Sequence, residues 1–252
     1  MRSFVLALIM VSLVLPARAQ VTSNVLGRVL QVRSPSTSCS AFTIEIEKKQ
    51  YLVTARHCLD GVTDSKNLMV RRGSVWGPVV GPVFLPSNSE VDIAAIGLAQ
   101  PITLDSEFQP TSDGIALGQP VFFIGYPYDF STKWKPSDSP NLSEVAFIKA
   151  GILSAMDSRN PQAIIIYIDG HNNQGFSGGP IVFRPSPNSQ FRVAAVVKGF
   201  RGEATPVVKG KNLLDPNAPS YEDLYTRANT GIVVGYSIEH IVKAINDAKK
   251  KE

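Results

Sequence analysis

Gly175-Phe176-Ser177-Gly178-Gly179-Pro180 places a serine hydroxyl in a glycine-walled bend. A serine is a weak nucleophile at its free pKa. It needs a base to take its proton and an acid to orient that base. Upstream, His57 stands in Leu52-Val53-Thr54-Ala55-Arg56-His57-Cys58, and Asp92 in Glu90-Val91-Asp92-Ile93-Ala94-Ala95-Ile96. The chain thus offers one candidate for each role, in the order His, Asp, Ser.

The chain has 252 residues, and its start reads as a segment apart from the fold. Arg2 precedes an apolar run from Phe4 to Leu15, broken only by Ser12, and Ala17-Arg18-Ala19 fits an A-x-A cleavage site. That is the pattern of a secretory signal peptide over residues 1–19, cleaved after Ala19. The run is shorter than the roughly 20 residues of a membrane span. No cysteine follows the cleavage site to carry a lipid, so no membrane anchor is expected. The destination implied is the periplasm or the medium. Removing the leader takes two of the 25 basic residues and none of the 21 acidic ones, which leaves a net charge of +2. So mild an imbalance gives no reason to invoke nucleic acid. With 44% hydrophobic residues, residues 20–252 can bury a full core as one domain.

The two cysteines are Cys39 and Cys58. Export puts them in an oxidising compartment, which predicts one disulfide. It would close a loop of about 20 residues, contribute roughly 3 kcal/mol in the chain-entropy picture, and steady His57 beside it. Two cysteines and three scattered histidines give no metal-ligand spacing, so no metal and no cofactor are expected.

Short β-rich runs separated by Gly, Pro, Asn and Ser fill the chain. Residues 25–32, 41–46, 50–54, 68–72 and 92–98 read as strands, then 120–125, 145–154, 163–169, 181–184, 191–199 and 231–236. Many short strands argue for an all-β barrel or sandwich. At the end, Ser237 can cap a helix whose apolar residues Ile238, Ile241, Val242 and Ile245 keep helical spacing, over about 237–250. Residues 101–119 look like a connection between two β units, and 129–141 and 203–220 like long loops.

A G-x-S-x-G motif also fits the nucleophile elbow of α/β-hydrolases. That fold runs Ser, acid, His, and its serine opens a helix. Here Pro180 and the strand-like Ile181-Val182-Phe183 follow the glycines, and His240 is the only histidine after Ser177. The elbow reading fails on order and on context.

The chain resembles the chymotrypsin-fold (trypsin-like) serine proteases, in the style of bacterial secreted and HtrA-like members. Thr54-Ala55-Arg56-His57-Cys58 is similar to the family's T-A-A-H-C, and Asp92-Ile93-Ala94 to its D-[IL]-A. Gly125-Tyr126-Pro127, Gly151-Ile152-Leu153-Ser154, and Asp169 with Asn173 also match blocks of HtrA-like chains, in order. The resemblance spans about residues 25–245. It implies two antiparallel, six-stranded-type β-barrels, at about 24–105 and 116–236, with the site between them and a C-terminal helix. It implies hydrolysis of a polypeptide substrate through an acyl-enzyme. Ser177 would be the nucleophile, His57 the base and Asp92 the orienting acid. The N–H groups of Gly175 and Ser177 would form the oxyanion hole.

Three departures follow. Phe176 stands where the zymogen-activated branch has Asp, so no tryptic activation cleavage is expected, and a bulky residue is set beside the oxyanion hole. His171 lies six residues before Ser177, where the pocket base is expected. It reads either as a loop residue or, with Lys198 on the pocket wall, as a preference for an acidic or polar P1 side chain. That position holds no Asp, so a trypsin-like preference for Arg or Lys is not expected. The sequence after Ser177 holds only last strands and a helix, so no PDZ module is expected. The alternatives are an esterase-like acyl hydrolase on the same triad and a pseudoprotease whose oxyanion hole is blocked by Phe176.

Overall fold

The computed structural model describes residues 21–60, 62, 67–104, 108–135, 143–208 and 221–251. The expected signal peptide lies outside them. A single helical turn, α1 (Ser23–Leu26), leads into the first seven strands. These are β1 (Val29–Arg33), β2 (Ser38–Ile46), β3 (Lys49–Thr54), β4 (Met69–Arg72), β5 (Val75–Pro78), β6 (Val83–Phe84) and β7 (Ala94–Gly97). They form one sheet in the order β5-β4-β1-β2-β3-β7-β6. All its pairs are antiparallel, with Phe42 opposite Val53 and Val53 opposite Ala95.

The second half contributes β8 (Gln109–Pro110), β9 (Pro120–Gly125), β10 (Thr132–Trp134), β11 (Ser143–Val145), β12 (Phe147–Asp157), β13 (Ile165–Asp169), β14 (Pro180–Phe183), β15 (Arg192–Val208) and β16 (Tyr221–Ser237). The order β14-β9-β12-β13-β16-β15 is closed by a β14–β15 pairing, which makes a six-stranded barrel with β8 alongside β15. β10 and β11 form a separate hairpin. The first sheet joins no edge to edge among the described residues; β5 and β6 remain its borders. The molecule is nevertheless the expected arrangement of two β units with a terminal helix, α2 (Glu239–Lys249).

Three apolar clusters explain why these strands stay in place. One lies within the first sheet, around Leu52, Leu68 and Val70. Another fills the barrel, around Phe123, Ile166 and Val197. The third crosses between the halves, joining Phe42, Ile44 and Val53 to Ile124, Val182, Val193 and the α2 residues Ile241 and Ile245. Burying such side chains contributes about 1.5–3 kcal/mol each, so the shared cluster resists separation of the halves.

The structure departs from the sequence reading in four places. Residues 25 and 26 close a helical turn rather than opening a strand. Residues 203–220, read as a loop, begin as strand: β15 runs on to Val208 and β16 starts at Tyr221. Within 129–141, Thr132–Trp134 is strand β10. Helix α2 starts two residues later than expected, and Ser237 Oγ accepts a hydrogen bond from the Glu239 N–H at 3.4 Å.

Candidate active site

β3 ends at Thr54 and turns into a short 3-10 helix, Arg56–Leu59, that carries His57. Asp92 lies just ahead of β7, between the fully buried Val91 and Ile93, which fix its backbone. Its carboxylate holds the histidine twice. Oδ1 accepts from the His57 backbone N–H at 2.9 Å, and Oδ2 from Nδ1–H at 2.7 Å. This pair sets the tautomer: Nδ1 carries the proton and Nε2 keeps its lone pair. The hydrogen bond to Asp92 raises the His57 pKa above the ordinary imidazole value, outweighing burial, while Lys198 pulls the other way. Burial pushes the Asp92 carboxyl up, but the bonds from His57 and the charge of Lys198 bring it below the usual carboxylate range.

The disulfide Cys39–Cys58, with an S–S distance of 2.03 Å, ties the His57 turn to β2. Cys58 Sγ is 3.8 Å from His57 Nε2 and 3.8 Å from the Ser177 carbonyl oxygen, so the imidazole and the serine share one neighbour. Cys39, His57 and Cys58 are also the one cluster of metal-ligand types among the described residues. Both sulfurs are consumed by the bridge, which leaves no thiolate to bind an ion.

The serine turn needs its glycines. Gly175 has φ +98° and Gly178 φ +83°, a region that L side chains rarely enter. A Cβ at Gly178 would come within 2.1 Å of the Ser40 carbonyl oxygen, and one at Gly175 within 2.3 Å of the Tyr126 carbonyl oxygen. The backbone of the turn is stapled on both sides. Ser40 N–H donates to the Ser177 carbonyl at 2.9 Å, and Gly178 N–H to that of Val197 at 2.8 Å. Ser40 Oγ donates to the Gly175 carbonyl at 2.7 Å and accepts from the Tyr126 N–H at 2.9 Å. The N–H groups of Gly175 and Ser177 make no hydrogen bond among the described residues. Ser177 Oγ donates to the Lys198 carbonyl at 3.0 Å; among the described residues no hydrogen bond joins it to His57.

Phe176 is fully buried and meets Phe123 edge-on, ring centroids 5.5 Å apart. Lys149 Nζ lies 5.4 Å from the Phe176 ring and donates to the His171 carbonyl and to Asn173 Oδ1. The bulky side chain is therefore a core anchor of the turn and does not intrude on the two free N–H groups. His171, read either as a loop residue or as part of the pocket, is exposed and does not line the cleft beside Ser177, which fits the loop reading, whereas Lys198 does line it. His171 is turned outward because its carbonyl is held by Lys149 and the buried Asn172 follows it. Ser40 and Lys149 escaped the sequence reading. A serine or a lysine on a strand carries no local signature, and their partners lie far along the chain.

The family model for Trypsin matches residues 19–209. The chain belongs to the trypsin family. It is a serine-type peptidase. Among solved structures, this trypsin-family chain resembles the inactive form of the Rv3671c protease, with a TM-score of 0.53 and 15% identity over 88% of this chain and 89% of that one. A second Rv3671c structure, from M. tuberculosis H37Rv, gives 0.51 and 16% over 88% and 86%. The HtrA-type protease AlgW with a tripeptide gives 0.52 and 17%, covering 89% of this chain and 60% of AlgW. At these identities the likeness speaks to the fold. No curated protein matches the sequence.

Proposed function

We propose that this trypsin-family chain is an exported endopeptidase that cleaves peptide bonds with Ser177, His57 and Asp92. The observation that carries the reading is the double hold of Asp92 on His57, which leaves Nε2 as a free base beside the glycine turn of Ser177. In this mechanism Ser177 Oγ attacks the scissile carbonyl carbon as its proton passes to His57 Nε2. The oxyanion that forms is met by the free N–H groups of Gly175 and Ser177. One such donor is worth about 3 kcal/mol of transition-state stabilisation. The amine leaves with the proton from Nε2. Water, deprotonated by the same nitrogen, then hydrolyses the acyl-enzyme. At rest the Ser177 hydroxyl is bonded to the Lys198 carbonyl. Exchange of that bond for one to His57 belongs to the substrate complex, where catalytic hydrogen bonds tighten.

The burial of Phe176 removes the motive for reading the chain as a pseudoprotease. Export rests on the leader at residues 1–19. The Cys39–Cys58 bridge fits an oxidising compartment. No helix among the described residues is long and apolar enough to cross a membrane.

Fluorophosphonate labelling of the exported protein tests the catalytic roles. Wild type should label, and Ser177→Ala and His57→Ala should not. Folded wild type that stays unlabelled sinks the reading. Sequencing of the active enzyme should begin at Gln20; a start well beyond residue 30 would refute activation by leader removal alone.

A further inference from the structure

A cleft of about 620 Å³ opens beside Ser177. Three of its lining residues are cations, Lys198, Arg201 and Arg227, and none is a carboxylate. None of the three makes an ion pair among the described residues. For a chain of near-balanced charge, this is a local concentration of one sign.

The cations are positioned rather than loosely scattered. Arg227 lies across the bare backbone of Gly202: a Cβ there would come within 2.1 Å of Arg227 Nε. Its guanidinium carbon is 5.9 Å from the Phe200 ring. Lys198 Nζ is 5.4 Å from the Tyr236 ring. Both aromatic residues belong to the cleft wall, so the charged groups themselves lie over it, and Lys198, Arg201 and Arg227 are all exposed. Arg201 sits on the same strand, β15, three residues beyond Lys198.

We propose that this cleft takes an acidic P1 side chain, held by Arg201 and Arg227 and supported by Lys198. The inference rests on reading Ser177 as the nucleophile. It moves the source of acidic preference away from His171, which does not line the cleft, to cations that do. A neutral amide of the same shape is the discriminating control. Glutamine fills the same space but leaves the cations without a counter-charge.

The test uses paired fluorogenic peptides that differ only in Glu or Gln at P1. Glu should be favoured by about tenfold in kcat/KM, since several exposed pairs each supply a factor of a few. The ratio should fall as salt rises, and Arg201→Gln with Arg227→Gln should bring it close to one. Equal rates for the two peptides, on enzyme that labels with fluorophosphonate, overturn the acidic pocket and leave the nucleophile standing. A second measurement needs no catalysis: binding of peptides ending in Glu or Gln to Ser177→Ala. Tighter binding of the Glu peptide is expected, and equal affinities overturn the proposal whatever the labelling shows.

Discussion

Asp92 meets His57 at its backbone and at its ring, so the imidazole cannot turn over without losing the ring bond. A base must be neutral to accept a proton. Because the bond to Asp92 raises the His57 pKa above 6.5, activity should rise with pH through a point above that value. Lys198 opposes the rise. Lys198→Met, assayed on a substrate with an uncharged P1 residue, should move the acid limb of kcat/KM further toward alkaline pH. A limb that stays in place would show that the lysine charge does not reach the pair. The same shift has a sign for folding. The proton bound by His57 stabilises the folded state below the unfolded imidazole pKa, and that contribution is lost as pH rises through the folded value. The three candidates could be picked out in the sequence because each residue sits in a local motif. The Arg201 and Arg227 side chains could not, because strand pairing alone brings them to one cleft.

At the scale of elements, the serine turn is the least forgiving segment. Gly178→Ala would place a methyl group 2.1 Å from the Ser40 carbonyl oxygen at a positive φ. The expected result is loss of fluorophosphonate labelling and a destabilisation on the order of 2 kcal/mol, read by urea denaturation. Unchanged labelling would mean that the turn yields more easily than its contacts imply. β9 was legible to the residue because Val121, Phe123 and Ile124 are an apolar run bounded by Pro120 and Gly125. The outer part of the β15–β16 hairpin was not. Residues 203–207 are exposed on both faces, so no alternation of apolar and polar residues marks them as strand. Val25 and Leu26 misled in the opposite direction: they are apolar because they pack on the shared core, and they do so from a helical turn.

For the whole molecule, the disulfide joins residues 19 apart in sequence, β2 at one end and the His57 turn at the other. Replacing both cysteines, Cys39→Ser with Cys58→Ser, should cost about 3 kcal/mol in urea denaturation. It should also slow labelling of Ser177 more than that of a destabilised variant with an intact His57 turn. The all-β character was legible from the spacing of short strands, and the division into two units from the turn-rich stretch 101–119. The way the parts lock was not, because the contacts are made by single residues distant in sequence. Asp129, on the second half, accepts from Gln31 at 2.5 Å, Arg33 at 2.7 Å and Ser38 at 2.5 Å, all on the first. Ser40 does the same for the serine turn, binding the Gly175 and Ser177 carbonyls from β2. In an unfolded chain the turn around Ser177 is therefore unshaped until the two halves dock and β2 reaches it. Pulse labelling during refolding should find Ser177 inert until the last phase, which would spare the unfinished protein from digesting its own kind.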